Sequence, residues 1–301
     1  MNDLFRELAP VPDAAWALLE EAARDVLCTQ LAGRKLVDVP EPRGWSSGAV
    51  LTGGTRPLEE PLVEGVEARL RVVQPMLELR VECDVSREAI EAVARGAPDI
   101  ASDELEAAAR RLALAEDRLV FRGHPEAGVL GLLREEEDED GLLVGEDPSW
   151  PHLVTTAIGR LTERGVPGPY GLALGPRAYR ELAEAPADTA GYPVLRHVER
   201  LLGGPVILSP ALDDDALVVS VRGGDFELVL GRDVSLGYVR HDAQRVRLHL
   251  SESLTFRSLR PEAAVPLLFR PEATDEALRF SSHREEETAP SFGRLARRQG
   301  R

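Results

Sequence analysis

Cysteine, lysine and long apolar runs are all scarce in this 301-residue chain, and each scarcity removes a class of protein. Two cysteines, Cys28 and Cys83, are too few for a thiolate zinc centre or for the disulfide framework of a small secreted domain. Both read as small apolar residues for burial. No uninterrupted apolar stretch approaches the roughly 20 residues needed to span a bilayer, and MNDLFRELAP lacks a basic-then-apolar leader pattern, so the expectation is a cytoplasmic protein with no membrane partner. Positive charge is also short. With 36 Lys and Arg against 52 Asp and Glu the net charge is −16, which repels a phosphate backbone and argues against a nucleic-acid partner. Lys35 is the one lysine, so any chemistry that needs an amine side chain has a single candidate.

What is present is enough for a folded core, since 43% of the residues are apolar. In DAAWALLEEAARDVLCTQLAGR, the residues Trp16, Leu19, Ala23, Val26, Leu27 and Gln30 or Leu31 recur near a 3.6-residue period until Gly33, which predicts an amphipathic helix. KLVDV reads as a short strand. A Gly, Pro, Ser and Thr-rich stretch from Pro40 to Pro61 reads as a long loop or extended arm. Alternation from Glu67 to Val85 predicts strands interrupted at Pro75. SREAIEAVARG gives a short helix, and Ser102 can cap a longer one ended by Gly123.

The acidic run from Glu135 to Asp140 marks a solvated loop. Beyond it, helices near 149–165, 176–185 and 193–202 alternate with strands PYGLALG and 205–209, a small α/β unit. From Ala216 to about Phe269 the pattern is mostly strand. Residues 270–301 are polar and charged and read as a disordered tail. The fold class is α+β.

Individual motifs do not assemble an active site. GWSSG fits the G-x-S-x-G nucleophile pattern at Ser46, but AVLTGGTRP follows it where a helix is required. Six histidines are scattered without metal-pair spacing. Asp213, Asp214 and Asp215 have the composition of a turn and offer weak support for a divalent metal. Arg222, Gly223, Gly224 and Asp225 fit a two-residue hairpin connection between VVSV and FELVLG, and the glycine-rich stretch lacks any phosphate-loop pattern.

Several blocks in order carry a resemblance: TQLAGRKLVDV after the first helix, the arm around Trp45, AEDRLVFRG then GVLGLL, GPYGLALGPRAY, GYPVLRHVERLLGG, ALVVSVRGGDFELVLGRDVSLGY and SESLTFRSLRPEAAVPLLF. Together, over roughly residues 4–269, they resemble the encapsulin shell proteins, the linocin-type bacteriocins of older usage. The resemblance implies the tailed-phage major capsid fold and a non-enzymatic, icosahedral homo-oligomer. Such a shell encloses a cargo enzyme, for iron storage or peroxide handling, held by its C-terminal targeting peptide. It divides the chain into an N-terminal helix and luminal part of the peripheral domain (1–39), an extended arm or E-loop (40–75), and a peripheral domain with the long helix (76–137). An axial domain (138–215), return strands with the arm base (216–269) and the tail (270–301) follow.

By matching motif, the resemblance places the cargo peptide on Leu27 and Leu31 as apolar floor, on Arg34 and Asp38 as polar anchors, and against Asp233, Val234 and Leu236 as opposite wall. Asp188, Thr189, Ala190, Gly191 and Tyr192 would form a pore loop. Where some family members stack flavin on a tryptophan this chain has Arg87 and Glu88, so no cofactor is expected. The tail segment SFGRLARR, residues 291–298, itself resembles a targeting peptide. The alternatives are a phage or prophage major capsid protein and a hydrolase using Ser46.

Overall fold

The computed structural model describes residues 3–60, 62–133, 141–145, 148–185 and 193–269. The amphipathic period of the first segment becomes helix α1 (Asp13–Gln30), which buries Ala15, Trp16, Leu19, Ala23 and Leu27 on one face. A single 3-10 turn, Gly33–Lys35, follows. Strands β1 (Ala49–Pro57) and β2 (Arg69–Pro75) pair antiparallel as the arm. Past Pro75 comes β3 (Leu77–Ser86), then α2 (Arg87–Ala94) and the long α3 (Asp103–Arg122). Two short strands, β4 (Gly123–His124) and β5 (Val129–Leu130), close a small hairpin.

The α/β unit holds β6 (Leu142–Val144), α4 (Trp150–Glu163), β7 (Tyr170–Leu174), α5 (Pro176–Glu184), α6 (Val194–Leu202) and β8 (Val206–Leu208). The chain ends its described part with β9 (Ala216–Ser220), β10 (Phe226–His241), β11 (Arg245–Ser258) and β12 (Ala264–Phe269). Sheet order is β10-β11-β3 in one antiparallel sheet and β6-β12-β9-β7-β8 in a mixed one.

Two cores result. One lies under the mixed sheet with α4, α5 and α6; the other joins α1, α2 and β3. Three long elements thread both cores. Helix α3 gives Leu105, Ala108 and Leu112 to the second and Val120 and Phe121 to the first, while β10 and β11 divide their apolar residues in the same way.

Four expectations change. Cys28, read as a buried residue, is exposed on α1, and only Cys83 is buried. KLVDV is no strand: after the 3-10 turn only Asp38 pairs, as an isolated parallel bridge to Glu227. Arg222–Asp225 does turn, with Gly223 and Gly224 at φ of +86° and +80°, but the strands it joins lie in different sheets, so it is a crossover and not a hairpin. A bidentate ion pair from Arg222 to Asp225, both bonds 2.8 Å, closes that turn. The axial boundary also moves, because β9 and β12, from the segment read as peripheral return strands, hydrogen-bond β7 and β6 in the axial sheet. The acidic run, the pore-loop residues 188–192 and the tail lie outside the described residues.

Gly123 ends α3 at φ +74°, and a Cβ there would stand 2.3 Å from the Val129 carbonyl oxygen. Gly123→Ala is therefore expected to lower the unfolding free energy by about 2–4 kcal/mol, measured by denaturant titration.

Candidate functional site

Helix α1 and strand β10 enclose a groove of about 690 Å³. Its floor is Leu27, Leu31, Leu236 and Leu250, which are nearly buried and also pack into the second core. Structural packing and groove lining are thus the same residues seen from two sides. Val234, half-buried, forms the far wall with Ser235 and Asp233.

The wall exists because β10 is bulged. Arg232 pairs with Ser253 and Ser235 with Ser251, so Asp233 and Val234 together face the single residue Glu252. Two residues against one bend a strand and re-aim its side chains. The motif LGRDVSLGY is therefore a bulge: Gly231 lies so close to β11 that a Cβ would meet Ser253 Oγ at 2.4 Å, and Arg232 N–H donates to that hydroxyl at 3.0 Å.

Arg34 stands at the polar end. Its Nε and Nη2 donate to Glu116 at 2.8 and 2.6 Å, Nη2 approaches Asp233 at 2.9 Å, and Glu252 lies 3.4 Å away. Burial works against the guanidinium charge, but the bonds to Glu116 and Asp233 outweigh it and hold Arg34 cationic. Glu116 and Glu252 are wholly buried. One arginine thus serves two carboxylates shut away from water and a third, Asp233, that is half exposed. Burial first, then the charge of Glu116 and a hydrogen bond with it, push Glu252 well above the usual carboxylate range.

The turn that presents Arg34 is held from α3. Asp117 accepts hydrogen bonds from Gly33 N–H at 2.8 Å and Ala32 N–H at 3.2 Å, and from Ser209 Oγ at 3.0 Å. Gly33 packs closely on α3, where a Cβ would meet the Val120 side chain at 3.1 Å.

Of the seven residues expected to bind a peptide, six line this groove: Leu27, Leu31, Arg34, Asp233, Val234 and Leu236. Asp38 does not. Its carboxylate accepts from Gly224 N–H at 2.6 Å and its backbone bonds Phe226 and Leu228, so it secures the crossover turn on another face. Sequence reasoning missed Arg6, Glu20, Arg24, Cys28 and Lys35 on the rim, and the Glu116–Glu252 pair beneath it. The spacing of Glu20, Arg24, Leu27 and Leu31 along one helix face was the signal for part of this set.

The other motifs are accounted for. Ser46 is exposed in an irregular segment before β1, without the strand-turn-helix setting a nucleophile needs. Arg122 engages Asp213 at 3.1 Å and Asp215 at 3.3 Å, and among the described residues no group of three or more His, Cys, Asp or Glu could hold a metal. Arg87 and Glu88 open α2, where Arg87 Nη1 donates to the Asp242 carbonyl. No helix among the described residues is long and apolar enough to cross a membrane.

Residues 1–255 match a family described as the encapsulating protein for peroxidase. A type 1 encapsulin shell protein of Rhodospirillum rubrum is 47% identical over 89% of this chain and 96% of its own length. Its counterpart in Mycolicibacterium paratuberculosis is 43% identical over 89% and 99%. The chain belongs to the encapsulin shell proteins. Among solved structures, the virus-like particle of Pyrococcus furiosus matches with a TM-score of 0.58 at 19% identity, covering 84% of this chain and 99% of that one. The capsid of Myoviridae phage XM1 matches at 0.50 and 12%, covering 79% and 90%. The fold is that of tailed-phage capsid proteins.

Because the folded chain retains a proton on Glu252 that the unfolded chain releases above the ordinary carboxylate range, its contribution to stability declines as pH rises from that range. Glu252→Gln keeps the neutral form at every pH. As pH rises from the ordinary carboxylate range, denaturant midpoints are expected to fall in the parent protein and to fall less in Glu252→Gln; parallel curves would contradict a raised Glu252 pKa.

Proposed function

We propose that this encapsulin chain assembles with copies of itself into a closed icosahedral shell, and that the α1–β10 groove holds the C-terminal targeting peptide of an enclosed cargo enzyme. The groove carries the cargo reading. It offers an apolar floor for alternate side chains of an extended peptide, with Arg34 and Asp233 fixed at one end. Apolar burial with a few preset polar contacts suits an extended segment, since little has to be ordered on the shell side. The description of the matching family favours a peroxide-handling cargo, with iron storage as the other candidate. A structural, non-catalytic role follows for the chain.

The arm supports assembly. Leu51, Leu62, Val63 and Val66 are 66, 79, 65 and 54% exposed, and a lone two-stranded hairpin is marginal in water. Neighbouring subunits would supply the missing burial. A phage capsid protein has the same fold, but relatives at 40–47% identity are encapsulin shells, and a net charge of −16 is ill suited to packed nucleic acid.

Electron microscopy of the purified protein is expected to show hollow, uniform particles; a lasting monomer defeats the shell. Val234→Asp places an unpaired charge in the groove wall and is expected to cut co-purifying cargo about tenfold, a loss of about 1.4 kcal/mol, with particles intact. Full cargo in that variant defeats the groove assignment. Leu236→Asp differs, since Leu236 is 2% exposed, and should lower stability of the subunit itself. Replacing Leu62 and Val63 by Asp is expected to reduce closed particles while leaving the subunit's unfolding midpoint in place.

A further inference from the structure

A second cavity, of about 170 Å³, lies at the base of the arm between Trp45, β3, β10 and β11. Arg232 enters it with its guanidinium 3.7 Å from the centre of the Trp45 ring. One terminal nitrogen of Arg232 is held by the Asp3 carboxylate, and Nη2 donates to Ser251 Oγ at 3.0 Å. Its Nε–H is buried and has no partner. On the same lining, His249 is 3% exposed and its Nδ1 is also buried without a partner.

Two orphaned polar atoms on one cavity are costly unless something fills them. A buried donor without an acceptor forfeits its full desolvation energy. Arg232 Nε can only donate, which calls for an acceptor. The His249 ring is fixed in place, since a Cβ on Gly237 would come within 2.3 Å of its Cε1. Burial, then Arg80, then Arg232 lower its pKa to about 4, and the two arginines exceed the opposing effects of Glu82 and Asp3. The imidazole is thus neutral at physiological pH, free to present Nδ1–H, and it senses a positive field inside a strongly acidic protein. At the mouth, Arg80 and Glu78 are both exposed.

We propose that this cavity binds a small oxyanion, of which inorganic phosphate is the probe, between Arg232 Nε–H, His249 Nδ1–H and the Arg80 side chain. Asp3 and Ser251 already accept from the Arg232 terminal nitrogens, and Glu82 stands 3.6 Å from Arg80, so the donors left without an acceptor are Arg232 Nε–H and the His249 ring, beneath an aromatic ring stacked on Arg232. Asp3 neutralises one edge of Arg232 and leaves the Nε edge for the ligand. Glu78 at the mouth sets a limit on the charge the site tolerates, so a single compact anion fits better than a polyanion. The site is separate from the peptide groove, and its test does not depend on cargo.

Trp45 reports occupancy directly. Titrating assembled protein with sodium phosphate at constant ionic strength, set with chloride, is expected to give a saturable change in tryptophan fluorescence that Trp45→Phe abolishes. Sulfate should give the same response and acetate a weaker one. Arg80→Gln and His249→Phe are each expected to raise the midpoint about tenfold, in line with loss of one charge-assisted hydrogen bond. A cavity holding only water gives no saturable response. That result, an equal response to added chloride, or an unshifted midpoint in either variant overturns the proposal; Arg80 is exposed, so its replacement leaves the fold intact.

Discussion

Asp117 lies 1% exposed in the middle of α3 and accepts three hydrogen bonds, two from the backbone just after α1 and one from Ser209 before β9. One carboxylate therefore ties the N-terminal helix, the long helix and the axial sheet together. Burial raises its pKa to about 6 even though three donors favour the charged form, a sign of how little water reaches it. Without it, two backbone N–H groups would be left buried and unpaired. Glu116, the preceding residue, binds Arg34 of the same turn. Neighbouring positions on one helix thus fix both the backbone of the turn and the direction of its arginine.

The groove inherits its shape from that tie and from the bulge opposite Glu252. With α1 set by Asp117 and Asp233 displaced outward by an extra residue in β10, the gap between them is a property of backbone geometry and not of any one side chain. Its floor is made of leucines that the second core already needs. This explains why the site is apolar along its length and charged at one end only.

Much of this was legible in the sequence. Helices α1 to α6 and the β2–β3 break at Pro75 follow from period and proline, while Ser102, expected to cap α3, precedes it without a side-chain capping bond and donates to Glu106 instead. The RGGD crossover was not separable from a hairpin, because both demand glycines at positive φ, and only the partner sheets differ. Asp38 came from the matching motif alone, and contacts that no motif carries place it elsewhere: after the 3-10 turn ends at Lys35 the backbone bonds to β10, and Asp38 meets the crossover turn. Glu116 and Glu252 were illegible for a different reason. Acids in an amphipathic helix or an alternating strand look like a solvent face, and only the tertiary contact with Arg34 reveals that they are inside. The groove residues came from family resemblance, since no motif chemistry marks a surface whose function is burial.

The arm and the groove answer the same constraint at different scales. Exposed apolar residues on β1 and β2 gain only when another chain covers them, and the one lysine, Lys35, lies on the groove rim and outside the arm, so subunit contacts there rest on burial and backbone pairing and not on a lysine cross-link. Such contacts are weak singly and strong when a shell closes, because every subunit makes them at once. On the proposed reading, a peptide groove repeated on each subunit would gain from the same arithmetic, since a modest site multiplied over many subunits would hold a cargo that one groove would release. A mainly apolar floor with one arginine shared among carboxylates is the composition such a modest site would have.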